Sequence, residues 1–145
     1  MDKLQDTVES NGFSMDRIEL EITEHVAFRN LDDNIATLTR ARDLGCKIVL
    51  DDFGSGYSSL SLLEELPLDK VKLDKSLQSS NQQRGVLAAT IRLARDLGFL
   101  CCVEGIESEA AAQFATEKGC RQMQGFWFGH PETVGAVLAQ LKIAS

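Results

Sequence analysis

The chain has 145 residues, 43% hydrophobic and 26% charged, which is one domain's worth at most and enough apolar material for a packed core. A net charge of −7 with no strongly basic stretch excludes long nucleic acid and anionic membrane surfaces as electrostatic partners; a small anion bridged by cations still fits. No apolar run approaches the roughly 20 residues that span a bilayer, and the start MDKLQDTVES has no signal-peptide core. Membrane insertion by this segment is therefore not expected. A cytoplasmic location is, with a larger membrane-anchored protein as the alternative setting.

In chain order, residues 1–15 read as the end of a helix and a lead-in, and residues 16–143 as alternating strands and helices. Short apolar or alternating runs predict strands at 17–22 (RIELEI), 47–50 (KIVL), 70–74 (KVKLD), 100–103 (LCCV) and 122–126 (QMQGF). Leu31, Ile35, Leu38 and Leu44 recur at helical spacing, with Asn30 or Asp32 placed to cap the start. A second helix is predicted over 58–66, stopped by Pro67. A third follows Val86, Ala89, Leu93 and Leu97 and closes at Gly98. A fourth covers 110–117 and closes at Gly119, and a last is marked by Val134, Val137, Leu138 and Leu141. This is βα repetition, which gives a parallel sheet, either open and doubly wound or closed as a barrel. The four cysteines form no C-x-x-C pair and only two histidines could assist them, so buried reduced thiols are expected rather than a zinc site.

The strand ends carry the polar residues. The first strand holds Glu19 and Glu21, with Glu24 just beyond; the second runs into Asp51-Asp52. The third holds Lys72 and Asp74, the fourth runs into Glu104 with Glu107 following, and the last holds Gln122 and Gln124. Strand side chains alternate faces, so Glu19 and Glu21 oppose Ile18, Leu20 and Ile22, and Lys72 and Asp74 oppose Val71 and Leu73. The apolar set packs under helices and the polar set converges at the C-terminal edge of the sheet, where barrels hold their active sites. A single acidic residue after a strand is commonly a helix cap; a row of them on successive strands is not explained that way.

Clustered carboxylates repel unless cations or protons intervene, and an oxygen-rich set suits Mg²⁺ or Mn²⁺. Two adjacent aspartates could serve two metals, an arrangement that fits hydrolysis of phosphate esters. A lysine among them orients or deprotonates the attacking water, or merely neutralises charge as a salt bridge. The run Phe53-Gly54-Ser55-Gly56-Tyr57 matches neither glycine-rich phosphate-binding fingerprint; its position after the aspartates suggests a mobile active-site loop.

DDFGSGYSSL at 51–60 resembles the central signature of EAL domains, the catalytic domains of cyclic di-GMP phosphodiesterases. LEITE (20–24), KVKLD (70–74), VEGIE (103–107) and QGFWFGHP (124–131) resemble the flanking EAL segments in the same order. The resemblance implies a (β/α)8 TIM-like barrel of the EAL type, with about five βα units present and the N-terminal strands, including two metal-ligand positions, missing. It implies Glu21, Asp51, Asp52 and Glu104 as ligands for two Mg²⁺ or Mn²⁺ ions, with Asp51 bridging. Lys72 would contact the nucleophilic water, and Glu107 and Gln124 would complete the pocket as further catalytic residues. Glu24 would tie down the loop that begins at Phe53, and Asp74 would lie beside the metals.

The substrate implied is cyclic di-GMP, opened to the linear dinucleotide. With two ligand positions absent, the chain alone is expected to be inactive or weak. The alternatives are a degenerate EAL remnant that binds the nucleotide or a protein, and an unrelated divalent-metal barrel enzyme that abstracts a proton with Lys72. Open barrel edges lead to an expectation of self-association or docking.

Overall fold

In a computed structural model, residues 2–54 and 63–143 are described, and they form one five-stranded sheet with helices between the strands. The strands are β1 (Glu19–Thr23), β2 (Lys47–Phe53), β3 (Lys70–Leu73), β4 (Leu100–Val103) and β5 (Gln122–Met123). The helices are α1 (Asp2–Ser10), α2 (Glu24–Ala27), α3 (Leu31–Asp43), α4 (Asn81–Asp96), α5 (Glu109–Glu117) and α6 (Val134–Ile143). Short 3₁₀ turns occupy Met15–Arg17 and Lys75–Gln78.

Every strand pairs in parallel with its neighbour in sequence, in the order β1-β2-β3-β4-β5. An open doubly wound sheet reverses its strand order at a switch point; this sheet does not, which is the progression of a (β/α) barrel. One sheet face carries Ile48, Leu50, Val71, Leu73 and Val103, all at 1% exposure or less, in a core shared with Leu38, Leu87 and Ile91. Burying side chains of this size contributes roughly 2 kcal/mol each.

The helices form where their sequences favour them. In α4, Ser80 accepts from the Gln83 N–H at 3.1 Å, and Leu87, Ile91 and Ala94 place one apolar stripe toward the sheet. Ser108 caps α5 in the same way, accepting from the Ala111 N–H at 3.3 Å. Asp32 and Asp33 open α3 and Arg40 and Arg42 close it, each matching the helix dipole. Asn30 stands at its N-cap without a side-chain cap bond.

Several predicted boundaries are corrected. The Met15–Arg17 turn takes up Arg17, and the Ile18 N–H bonds back to Met15 O, so the ladder begins at Glu19 rather than at residue 17. The second strand includes both aspartates instead of ending before them. The third ends at Leu73, because the Asp74 side chain turns back to accept from the Ser76 N–H at 2.9 Å. The last strand is only Gln122–Met123, because Phe126–Phe128 fold over Ile106, with the Trp127 N–H on Ile106 O and the Phe128 N–H on Gly125 O. The one-turn helix α2 has no counterpart among the predicted elements. Of the predicted helix over 58–66, the described residues include buried Leu63 and Leu66; residues 55–62 lie outside them.

Candidate metal centre

In a regular strand Asp51 and Asp52 would point to opposite faces of the sheet. They do not, because β2 carries a bulge. Leu50 pairs with Val71 and Phe53 with Leu73, so three steps on β2 match two on β3. The extra residue is Asp52, whose φ of 56° lies in the left-handed region that few non-glycine residues adopt. Aspartate tolerates that region better than most side chains, and holding it there costs on the order of 1 kcal/mol. The result is that one carboxylate oxygen from each of Asp51, Asp52 and Glu104 lies within 4.8 Å of the others.

Lys72 stands beneath this group on β3. Its Nζ is 3.1 Å from Asp51 Oδ1, 2.8 Å from Glu104 Oε1 and 3.1 Å from Glu21 Oε1. Its side chain is only 10% exposed. Burial by itself would lower the lysine pKa, but the carboxylates of Glu104, Asp51 and Glu21 outweigh it and raise the value, so Lys72 is held as an ammonium. Four carboxylates thus gather around one cation, and the imbalance is visible in the two aspartates. Burial, then the nearby charges of Asp51 and Asp74, raise the Asp52 pKa above the usual carboxylate range against the pull of Lys72. Asp51 Oδ1 is buried, and the ammonium that meets it, Lys72 at 3.1 Å, is shared with Glu21 and Glu104.

A buried carboxylate oxygen that shares one ammonium with two other acids, in a group of three clustered carboxylates, fits a hard divalent cation. Asp51, Asp52 and Glu104 would hold one, with Glu21 close by through Lys72. The backbone around Glu104 is fixed from outside the sheet. Gln78 Nε2 donates to Glu104 O and, at 3.3 Å, to Gly105 O. Gly105 has φ of 64°, and a Cβ there would sit 2.4 Å from Lys75 Cβ, so only glycine fits this turn.

The other expected residues divide. Glu24 Oε2 accepts from the Gly54 N–H at 3.3 Å, just after Phe53. Ser55, Gly56 and Tyr57 lie outside the described residues. Asp74 caps the turn after β3; Ser76 hydrogen bonds and the Lys75 charge outweigh burial and hold its carboxyl below the ordinary value. Its backbone is extended, its N–H continues the ladder to Phe53 O at 3.2 Å, and its charge acts on Asp52. Glu107 is exposed and lines a separate hollow of about 410 Å³ with Lys75, Gln78 and Arg84. Gln124 is exposed, and its backbone continues the ladder to Val103 and Ile106. Neither belongs to the carboxylate group found among the described residues.

Two supporting features were missed in the sequence. Lys70, 9% exposed, pairs with Glu19 one rung below Lys72 and Glu21. The alternation that placed Glu19 and Lys72 on the polar face also predicts Lys70 there, so the signal was present. Gln78 had no signal, because its role depends on the path of the chain after β4.

Residues 1–131 match the sequence profile of the EAL domain. The chain is 35% identical over 141 residues to the cyclic di-GMP phosphodiesterase NbdA of Pseudomonas aeruginosa, covering 94% of this chain and 18% of NbdA. Among solved structures it is similar to the PaMucR phosphodiesterase in complex with c-di-GMP, with a TM-score of 0.88 and 31% identity over 94% of this chain and 57% of that one. It is also similar to Klebsiella pneumoniae BlrP1 in a manganese and cyclic di-GMP complex, with a TM-score of 0.84 and 33% identity over 90% of this chain and 34% of that one. The chain therefore spans about a fifth of the length of NbdA and little over half of the PaMucR chain.

Proposed function

The chain belongs to the EAL domain family of cyclic di-GMP phosphodiesterases, and from that premise we propose that it carries the metal-binding part of a site that hydrolyses cyclic di-GMP to the linear dinucleotide. The observation that carries this reading is the Asp51, Asp52 and Glu104 group, more carboxylates than the one Lys72 ammonium beside it can neutralise. Bound Mg²⁺ or Mn²⁺, two ions in a complete site, would neutralise phosphate charge and activate water for attack on phosphorus. Asp51, Asp52, Glu104 and Glu21 are the residues to hold them.

Lys72 has the role of orienting the water and the carboxylates by donating hydrogen bonds. Because its neighbours favour the ammonium, it is a poor proton acceptor, and the reading in which it abstracts a proton loses support. Glu24 fixes the loop that begins at Gly54, and Asp74 tunes Asp52 from beside the site. Glu107 and Gln124 are proposed to face the substrate rather than the ions, since they stand exposed beyond the carboxylate group. The test is turnover of cyclic di-GMP by the purified chain with Mg²⁺ or Mn²⁺, compared with Asp51→Asn. Linear product that depends on the ion and on Asp51 supports the reading. No product from either protein, with no heat of nucleotide binding, removes it.

Binding without turnover is the second reading. It is favoured by one fact: the Asp51, Asp52 and Glu104 group would hold a cation, and through it a nucleotide phosphate, whether or not the nucleotide is cleaved. Calorimetry with cyclic di-GMP and excess Mg²⁺ separates the two, since binding heat without product identifies a nucleotide-binding module. Self-association is proposed on a different observation, the run Phe126, Trp127 and Phe128, each at least half exposed. Light scattering that gives a sharp monomer at micromolar concentration contradicts it. Among the described residues no helix is long and apolar enough to cross a membrane.

A further inference from the structure

At the N-terminal end of the sheet, away from the carboxylates, the chain brings together two thiols that the metal centre does not use. Cys101 is the second residue of β4 and is partly exposed; Cys120 follows α5 and is buried. Cys120 Sγ donates at 3.4 Å to Cys101 O and at 3.0 Å to Gln122 O. The β4–β5 register pairs Cys102 with Gln122, so Cys101 and Cys120 belong to adjacent chain segments at the start of this pair. Carried back, that register sets Cys101 opposite Arg121 and Cys120 opposite Leu100; with strands about 4.8 Å apart and about 3.3 Å per residue, this diagonal is on the order of 6 Å, within the Cα separation that a disulfide bridges.

The two thiols differ in character. The Cys101 side chain, followed by backbone groups of Gln122, Val103 and Arg121, lowers the Cys120 pKa to about 7 despite burial. The same contact and burial push Cys101 up, so Cys120 is the more readily ionised of the two. Both line an open cavity of roughly 780 Å³, together with Arg95, Thr116 and Arg121. A water-sized oxidant therefore has a route to them. The remaining cysteines lack this setting. Cys46 is 1% exposed and raised by burial, and Cys102 is raised to about 11 mainly by burial.

From this juxtaposition we infer that Cys101 and Cys120 are a site of thiol oxidation, closing to an intrachain disulfide when the protein meets hydrogen peroxide. The Cys120 thiolate attacks one peroxide oxygen, the O–O bond breaks, and the departing hydroxide is protonated to water, leaving Cys120 as a sulfenic acid. The Cys101 sulfur then attacks the Cys120 sulfur, the S–O bond breaks, and the second hydroxide leaves with the Cys101 proton as water. In total two thiols lose two electrons and two protons, and one peroxide becomes two waters. The crosslink ties β4 to β5 below Glu104 and Gln124.

The experiment treats the intact chain with hydrogen peroxide at neutral pH, blocks free thiols, and maps unreduced peptides by mass spectrometry. The expected product is a pair of peptides joined through Cys101 and Cys120, lighter by two hydrogens, formed at lower peroxide than any change at Cys46 or Cys102. In Cys101→Ser the second step is removed, so Cys120 accumulates as a sulfenic acid trapped by dimedone. In Cys120→Ser, Cys101 stays free and alkylatable. A circular dichroism melt of each variant confirms that it is folded. Joined peptides formed through Cys46 or Cys102 instead would overturn the inference. So would Cys120 passing to its sulfinic acid with Cys101 free, or four thiols that all stay reduced.

Discussion

Two lysine–glutamate rungs stand one above the other on the same two strands, and they do different things. In the lower rung Lys70 meets Glu19, one cation to one anion, with the lysine 11% exposed and the glutamate 44%. In the upper rung Lys72 meets Glu21 at the same glutamate exposure, but Asp51 and Glu104 are also within 3.1 Å of it and Asp52 lies beyond. The lower rung is balanced and needs nothing more. The upper rung has more carboxylates than its ammonium can neutralise. Residue type and secondary structure are nearly the same in both; the difference is that β2 and β4 deliver acids only to the upper level. The comparison separates a structural ion pair from a candidate metal centre without reference to any relative.

The largest effect is expected from removing Asp51, the buried acid that shares the Lys72 ammonium with Glu21 and Glu104. Removing groups that only support a metal ligand commonly costs 10–100-fold, so Asp51→Asn is expected to lower Mn²⁺ affinity and cyclic di-GMP turnover by about 100-fold or more. Calorimetry and product chromatography read the two effects, and an unchanged Mn²⁺ affinity would remove Asp51 from the ligand set. Glu19→Gln, by contrast, should leave Mn²⁺ affinity within about twofold, because its pair is already balanced.

Next in size is the pair of lysine variants. Without divalent ions, Lys72→Met leaves its carboxylates uncompensated and is expected to cost about 3 kcal/mol in urea unfolding. Mn²⁺ at a fixed concentration, about 100 times the dissociation constant of the unmodified chain, should stabilise Lys72→Met by more than the roughly 2.7 kcal/mol it gives the unmodified chain, because the uncompensated carboxylates hold the ion more tightly, while turnover stays lost because the orienting ammonium is gone. Lys70→Met, whose partner is half in water, is expected to cost about 1 kcal/mol with no extra rescue by Mn²⁺ beyond that of the unmodified chain. Equal Mn²⁺ rescue of both variants would erase the distinction between the rungs.

The smallest effect concerns Asp74, which the strand pattern placed among the upper-rung residues and the structure assigns to a cap. Asp74→Ala should cost about 1 kcal/mol of stability through the lost bond to the Ser76 N–H. Its folded carboxyl lies below the ordinary 3.8, so the stability it contributes is present above that pH and is lost as pH falls through the folded value. A cost that persists unchanged at pH 2 would contradict the cap as its origin.

Much of this molecule was legible in its sequence. The βα rhythm, the polar row at the strand ends and the motifs at 20–24, 51–60, 70–74, 103–107 and 124–131 are local patterns, and local patterns survive as written when each strand keeps its alternation. They fixed the family, the parallel sheet and the acids at Glu21, Asp51, Asp52 and Glu104. The sequence left open whether the sheet was doubly wound or barrel-like, and only the pairing order of the strands decided that.

The site itself depended on geometry that one strand cannot encode alone. Period-two alternation would have sent Asp51 and Asp52 to opposite faces; the register between β2 and β3 forces a bulge, and the left-handed Asp52 turns both carboxylates to one side. Likewise Asp74 caps the turn after β3 by accepting from the Ser76 N–H, and Gln78 supports Glu104 because two loops meet there. The sequence by itself determined which acids the chain carries and on which strands. The tertiary structure decided which of them crowd one ammonium, because charge repulsion is a property of distances between strands and not of positions along them.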